Sequence, residues 1–151
     1  ADFLPGSSTL VEKVQNAIDP PPNQGLGLGL APIGAKVTAV APTGLAVNVS
    51  ATLLLAAGHA IGQVQEPVEQ AIETYLRSVR QGWDTNVSAN NVSYAADVYV
   101  ARVTAAIVGV AGVVNATNVQ LNGGTADLLL TETGETQQVP VIGTVKLNES
   151  N

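Results

Sequence analysis

The chain has no cysteine and no methionine, a single histidine, and one tryptophan, one phenylalanine and three tyrosines among 151 residues. Without cysteine, disulfides, zinc-thiolate sites and cysteine nucleophiles are all excluded. The lone histidine, His59, has no cluster of carboxylates around it in the sequence. It cannot build a zinc site, and no serine and aspartate accompany it in a triad pattern. Positive charge is also scarce. Six basic residues, Lys13, Lys36, Arg77, Arg80, Arg102 and Lys146, are scattered against 12 acidic ones, for a net charge of -6. Phosphate neutralisation needs clustered lysine and arginine, so nucleic acid is not an expected partner. Long apolar runs are missing too. The most apolar window, Val98–Val114, is broken by Arg102, Thr104 and two glycines and is too short to span a bilayer. Ala1–Gly6 has no basic region followed by an apolar core, so it does not read as a secretory signal. The absence of methionine fits a trimmed or excerpted polypeptide.

What is present is small and aliphatic. Hydrophobic residues make up 46% of the chain and are carried by Val, Ala, Leu and Ile. Such side chains suit tightly packed sheet–helix layers, and at this length roughly 70% of the unfolded surface can be buried. Thr9-Leu10-Val11-Glu12 reads as a capping box, followed by Leu10, Val11, Val14, Ala17 and Ile18 at helical spacing. Asp19 and three prolines stop that helix, since proline lacks an N–H and clashes with a continuing turn. A glycine-leucine alternation and Ala31-Pro32-Ile33-Gly34-Ala35 lead into Lys36–Ala41, whose alternation predicts a strand. Pro42-Thr43-Gly44 signals a turn and the boundary between two domains, 1–43 and 44–151.

Leu45–Ala56 predicts a second strand with Val47, Val49, Ala51 and Leu53 on one face. After a Gly58–Gly62 loop, Val64, Val68, Ala71, Ile72, Tyr75, Leu76 and Val79 form one stripe, predicting a helix over Val64–Gln81 with Gly82 as its cap. Asp84–Ser93 is polar and Asn-rich, a surface loop. Asp97–Val108 reads as a helix, with a buried strand over Val98–Val103 as the alternative. Val113–Leu121 and Thr125–Thr131 flank Asn122-Gly123-Gly124, a hairpin signal. Thr133–Gln138 is a further turn and Val141–Leu147 a final strand. The predicted class is α+β: small two-layer units with helices on one face of a mostly antiparallel sheet.

Few features invite chemistry. Gly25-Leu26-Gly27-Leu28-Gly29 lacks the spacing of a dinucleotide loop, has Leu30 where glycine is needed, and follows prolines instead of a strand. Its glycines serve close backbone packing, with the leucines expected to be buried against a neighbouring layer. Glu66, Glu69 and Glu73 lie along one flank of the long helix, opposite the apolar stripe. They read as a solvated face, with Glu73 able to pair with Arg77 at i+4. Asp127 and Glu132 have no partner signature. Asn-x-Ser/Thr sequons at Asn48, Asn86, Asn91, Asn115 and Asn148 would imply glycosylation in a secreted chain, but no signal accompanies them and Asn48 lies in a predicted strand. They read as coincidence in an Asn- and Thr-rich sequence. No catalytic, cofactor-binding or metal-binding residue is assigned, and no small-molecule substrate is expected.

The phrase from Asp19 onward, DPPP…GLGLGLAPIGAKVT, resembles the central segment of the baseplate J-like family of contractile phage tails and related injection machines. The likeness continues in order through Val11–Ile18, Ala46–Leu54, Ala71–Leu76 and Gly109–Asn122, covering about Leu10 to about Leu147. Family members carry a sizeable N-terminal region beyond this, so the chain resembles the middle and C-terminal part of a longer protein, with 1–43 as the end of a middle domain. The resemblance implies a non-enzymatic structural component of a tail baseplate, assembled in the host cytoplasm and residing in the virion. Its implied partners are other baseplate wedge proteins and copies of itself. Leu26, Leu28, Leu30, Pro32 and Ile33, apolar and flanked by glycines, are the expected interface. The competing reading is a bacterial adhesin or surface-layer module, which requires all-β structure.

Overall fold

The computed structural model describes residues 2–82, 87–88, 91–92, 97–133 and 135–150. The chain divides into two compact units, Pro5–Thr43 and Gly44–Asn151 together with Ala1–Leu4. The larger unit contains β1 (Thr43–Leu55, its first residue at the junction), α2 (Ile61–Gln81), the short β2 (Val87–Ser88) and β3 (Asn91–Val92), α3 (Val100–Val108), β4 (Val113–Leu121) and β5 (Gln138–Glu149). The smaller unit has one helix, α1 (Ser8–Ile18).

The larger unit is a three-stranded sheet in the order β4-β1-β5. β1 and β4 are antiparallel. β5 runs in the same direction as β1: Gly143 lies beside Val47 and Asn48, and the Ser150 N–H donates to the Leu53 carbonyl. The sheet is therefore mixed, with α2 packed against β5 and α3 against β4 and α2. This is the α+β class that the sequence predicts.

The reason is visible in two periodicities. Val47, Val49, Ala51 and Leu53 alternate along β1 and are all buried, as period-2 strand geometry requires. Val64, Val68, Ile72 and Leu76 recur every four residues along α2 and are buried against them. Val98, Val103, Ile107, Ala116, Val119, Leu121 and Val145 complete this core. Val, Ala and short aliphatic chains allow the close sheet–helix approach.

The next position in the α2 stripe is Arg80, and it too is buried. Its Nη1 donates to the Pro140 carbonyl (2.9 Å), its Nε to the Asp2 carbonyl (3.0 Å), and its Nη2 pairs with the Glu73 carboxylate. A buried guanidinium is tolerated only when its donors are spent in this way. Gln65, fifteen residues earlier, donates to the Val145 carbonyl (3.0 Å). Two α2 side chains thus hold backbone carbonyls of β5.

Several local expectations change. The α1 cap is Ser7, whose Oγ accepts from the Leu10 N–H (3.3 Å), two residues before the predicted Thr9. The Pro42–Gly44 turn is absent, because β1 already begins at Thr43. α2 begins at Ile61, where the Gln63 side chain accepts from the Ala60 N–H, so Pro67 falls inside the helix. α3 begins only at Val100, because Asp127 Oδ1 accepts from the Val100 N–H (2.8 Å) and caps it from another segment. Val98 instead pairs with Leu128 as an isolated bridge. That bridge also explains why Thr125–Thr131 does not return along β4: the Asn122–Gly124 turn forms, but the following chain is drawn to Val98 and to Asp97, which accepts from Leu130 N–H. Much of the predicted Asp84–Ser93 loop lies outside the described residues, and its described part, β2 and β3, pairs as two short strands.

The larger unit's stability should rest on the α2 stripe. Ile72→Ala is expected to cost about 2–5 kcal/mol in urea unfolding by loss of burial plus a cavity, whereas Thr74→Ala, on the exposed flank, should change stability by no more than about 0.5 kcal/mol.

Candidate interaction surface

The smaller unit, Pro5–Thr43, has almost no apolar interior. α1 has no buried residue, and Ala31 is the unit's one buried hydrophobic residue among those described. What organises it is polar. Asp19, just past the end of α1, is 1% exposed. Its Oδ1 accepts from the Gly25 N–H (2.8 Å) and its Oδ2 from the Val37 N–H (2.9 Å). Hydrogen bonds to a carboxyl group of this kind contribute more than neutral pairs, about 1.5–3 kcal/mol each. Gln15, one turn earlier, adds a second set: its Oε1 accepts from Ala39 N–H (2.7 Å), and its Nε2 donates to the Asp19 and Val37 carbonyls. Gln24 Nε2 also donates to the Val37 carbonyl (3.0 Å).

The end of α1 holds the rest of the connector. The Leu30 and Ala31 N–H groups donate to the Ala17 and Ile18 carbonyls, capping orphan acceptors of the last helical turn. Gly29 sits directly on those carbonyls, and a Cβ there would overlap them. Gly27 has φ +70° and lies against Ile33, so it needs glycine for both conformation and space. The glycines therefore do provide close backbone packing, as the sequence indicates.

The leucines do the opposite of what that reading expects. With the backbone drawn inward to Asp19 and Gln15, the side chains are turned outward. Leu26 is 58% exposed, Leu28 64%, Leu30 83% and Ile33 83%, and Pro32 is exposed as well. Within the chain they are not buried against a neighbouring layer. Leu10, Val14 and Val40 are exposed on the same unit, and an apolar groove of about 200 Å³ runs between α1 and Ala39–Pro42. All five residues singled out from the sequence thus share one small unit and present their side chains to solvent.

Lys36–Ala41 does not become a paired strand. Asp19, Gln15 and Gln24 take the groups on its inner edge, and no second strand lies beside it among the described residues.

The remaining candidates do not assemble into a reactive site. Glu66, Glu69 and Glu73 line an open cleft of about 530 Å³ with Ile142. Glu66 accepts from Gln70, Glu69 from Gln65, and Glu73 is held by Arg80. Among the described residues no three carboxylates or histidines group as a metal site. His59 is exposed in its loop and packs on Gly112. Asn48 is engaged in the fold, its Oδ1 accepting from Thr144 N–H (2.9 Å), while Asn86 lies outside the described residues. Burial raises the Tyr75 phenol above its ordinary value, and its hydroxyl accepts from the Tyr99 N–H. Among the described residues no helix is long and apolar enough to cross a membrane.

The described residues thus form an α+β unit and a small unit that displays its aliphatic side chains. Residues 47–148 match the model of the Baseplate J-like protein C-terminal domain, and the chain belongs to that family. It is 29% identical over 153 residues to the phage-like element PBSX protein XkdT of Bacillus subtilis (strain 168), a match spanning 99% of this chain and 38% of that protein. It is 35% identical over 98 residues to the uncharacterized protein YqbT of the same strain, spanning 62% of this chain and 27% of that protein. The chain thus covers well under half the length of either relative. Family and relative together point to a structural phage protein of the baseplate.

The polar hub is testable. Asp19→Ala should leave the Gly25 and Val37 N–H groups without acceptors, and amide exchange at both should accelerate by roughly tenfold or more for every 1.4 kcal/mol lost. Exchange in the α2 core should be unchanged.

Proposed function

We propose that this chain is a structural subunit of a contractile-tail or tail-like baseplate, that it makes wedge or ring contacts with neighbouring subunits, and that the Pro/Gly connector is one of those contacts. The observation that carries this reading is the outward display of Leu26, Leu28, Leu30, Pro32 and Ile33 from a backbone fixed inward. Covering one such side chain contributes about 1.5–3 kcal/mol, so a handful of them can anchor an interface. Preorganisation matters equally, because Asp19 and Gln15 have already ordered the segment and little backbone entropy remains to be lost on docking.

The family match supports a baseplate role. The wedge or ring position, the location in the virion tail and the identity of the neighbours, whether other wedge proteins or copies of this chain, are part of the proposal. So is the absence of catalysis: the protein holds its neighbours and moves with them during the change that triggers sheath contraction. The adhesin or surface-module alternative requires all-β structure, and α1, α2 and α3 run against it.

Leu28→Asp with Leu30→Asp is the direct test. Charged side chains in a desolvated contact lose more than the leucines contribute, so particle assembly should fail while circular dichroism and the unfolding midpoint of the larger unit stay at wild-type values. Normal particle yield from the double variant would refute the connector's role.

A further inference from the structure

One end of the β1–β4 pair is closed by a side chain. The backbone register between the two strands reaches its limit at Val49 and Leu121. Beyond it stands Asn122, whose N–H donates to the Asn48 carbonyl (2.8 Å). Its carboxamide supplies the rest: Oδ1 accepts from the Asn48 N–H (2.8 Å), and Nδ2 donates to the Ala46 carbonyl (3.1 Å). A single amide side chain thus meets a backbone donor and a backbone acceptor, as a paired strand would. Ala46 lies close to Thr43, where β1 begins, so Asn122 holds the start of that strand.

Asn122 and Gly123 are the central residues of the turn closed by Leu121 and Gly124. Their φ angles of +49° and +80° suit a two-residue hairpin turn. They also form the one Asn-Gly pair in the sequence. A backbone nitrogen that follows asparagine is a nucleophile toward that side chain's amide carbon, and glycine leaves its approach unhindered. Gly123 has open space where a Cβ would stand, and among the described residues its N–H has no backbone hydrogen-bond partner. In the reaction the Gly123 nitrogen bonds to Asn122 Cγ and the Cγ–Nδ2 bond breaks. The proton lost from Gly123 leaves on Nδ2 as ammonia. Water then opens the cyclic imide at either carbonyl, giving an aspartyl or an isoaspartyl residue.

We propose that Asn122–Gly123 is a deamidation site that the fold holds in check, and that its conversion releases the start of β1. Anchored on β1 through both polar atoms, the carboxamide is not free to turn its Cγ onto the Gly123 nitrogen. The reaction therefore waits on opening of the Asn48–Asn122 end. After conversion the side chain is a carboxylate, which accepts hydrogen bonds and donates none. The Ala46 carbonyl then loses its donor and faces a negative oxygen, so the opened end does not close as before. The isoaspartyl product also inserts a methylene into the main chain of the turn. The inference is independent of the baseplate reading and assigns a modification to a residue outside the connector.

Peptide mapping by mass spectrometry tests it on the intact chain, aged at one neutral pH and temperature in buffer and in urea. Conversion at Asn122 should be severalfold slower in the native chain than in urea. Asn115 and Asn118, followed by Ala116 and Val119, should remain amides in both over the same period. Asn122→Asp reproduces the aspartyl product, and amide exchange at Asn48 should then quicken severalfold while the Val68 and Ile72 amides of α2 stay at wild-type rates. Equal conversion in buffer and in urea overturns the proposal, as does an Asn122 that stays an amide in both. Wild-type exchange at Asn48 in the variant overturns the release of β1. Should Asn122→Asp fail to fold, exchange in the converted fraction of the aged chain, separated by its added negative charge, decides instead.

Discussion

A single carboxyl group decides which way the Pro/Gly connector faces. Asp19 follows α1 directly, where the helix leaves its last carbonyls open, and its two oxygens reach forward to the amides of Gly25 and Val37. Those two bonds fold 18 residues of chain back onto the helix end and leave the intervening side chains no interior to occupy. Gln15 and Gln24 tie down the remaining inner-edge groups. In a unit of fewer than 40 residues, where aliphatic burial cannot supply a core, side chain-to-backbone hydrogen bonds take over the ordering role and release the leucines for use outside.

The two units therefore solve opposite problems. The larger one buries Val, Ala, Leu and Ile between a mixed sheet and two helices, and closes its polar loose ends with Arg80, Gln65 and Asp127. The smaller one leaves its aliphatic side chains exposed and buries a carboxyl group instead. A folded scaffold carrying an ordered but uncovered surface is suited to reversible docking between subunits. The chain has no cysteine, one histidine and six scattered basic residues.

Legibility in the sequence followed the range of the interaction. The four-residue repeat Val64, Val68, Ile72, Leu76 gave α2, and the alternation Val47, Val49, Ala51, Leu53 gave β1, because periodicity reports a buried face directly. Arg80 continues the same repeat, so its burial was available to anyone extending the stripe by one step. Asp19 was legible only as a helix stop; nothing local says that its side chain reaches to residue 37. For the same reason Lys36–Ala41 alternates as a strand does yet is not assigned to a sheet: alternation fixes which way side chains point and carries no information about a neighbour. The missed return strand at Thr125–Thr131 has a similar origin, since Asp97 and Val98 compete for that segment from across the unit. The glycine-flanked leucines of the connector suggest burial against a neighbouring layer, whereas within this chain their side chains are exposed.

We propose that an inward-bonded backbone holds the connector's aliphatic side chains outward for a partner to cover. Hydroxyl-radical footprinting read by mass spectrometry measures this at Leu26, Leu28, Leu30 and Ile33, first on the free chain and then on assembled particles. High reactivity in the free chain and severalfold lower reactivity in the particle is the expected result. Equal reactivity in both states, or protection already complete in the free chain, would contradict it.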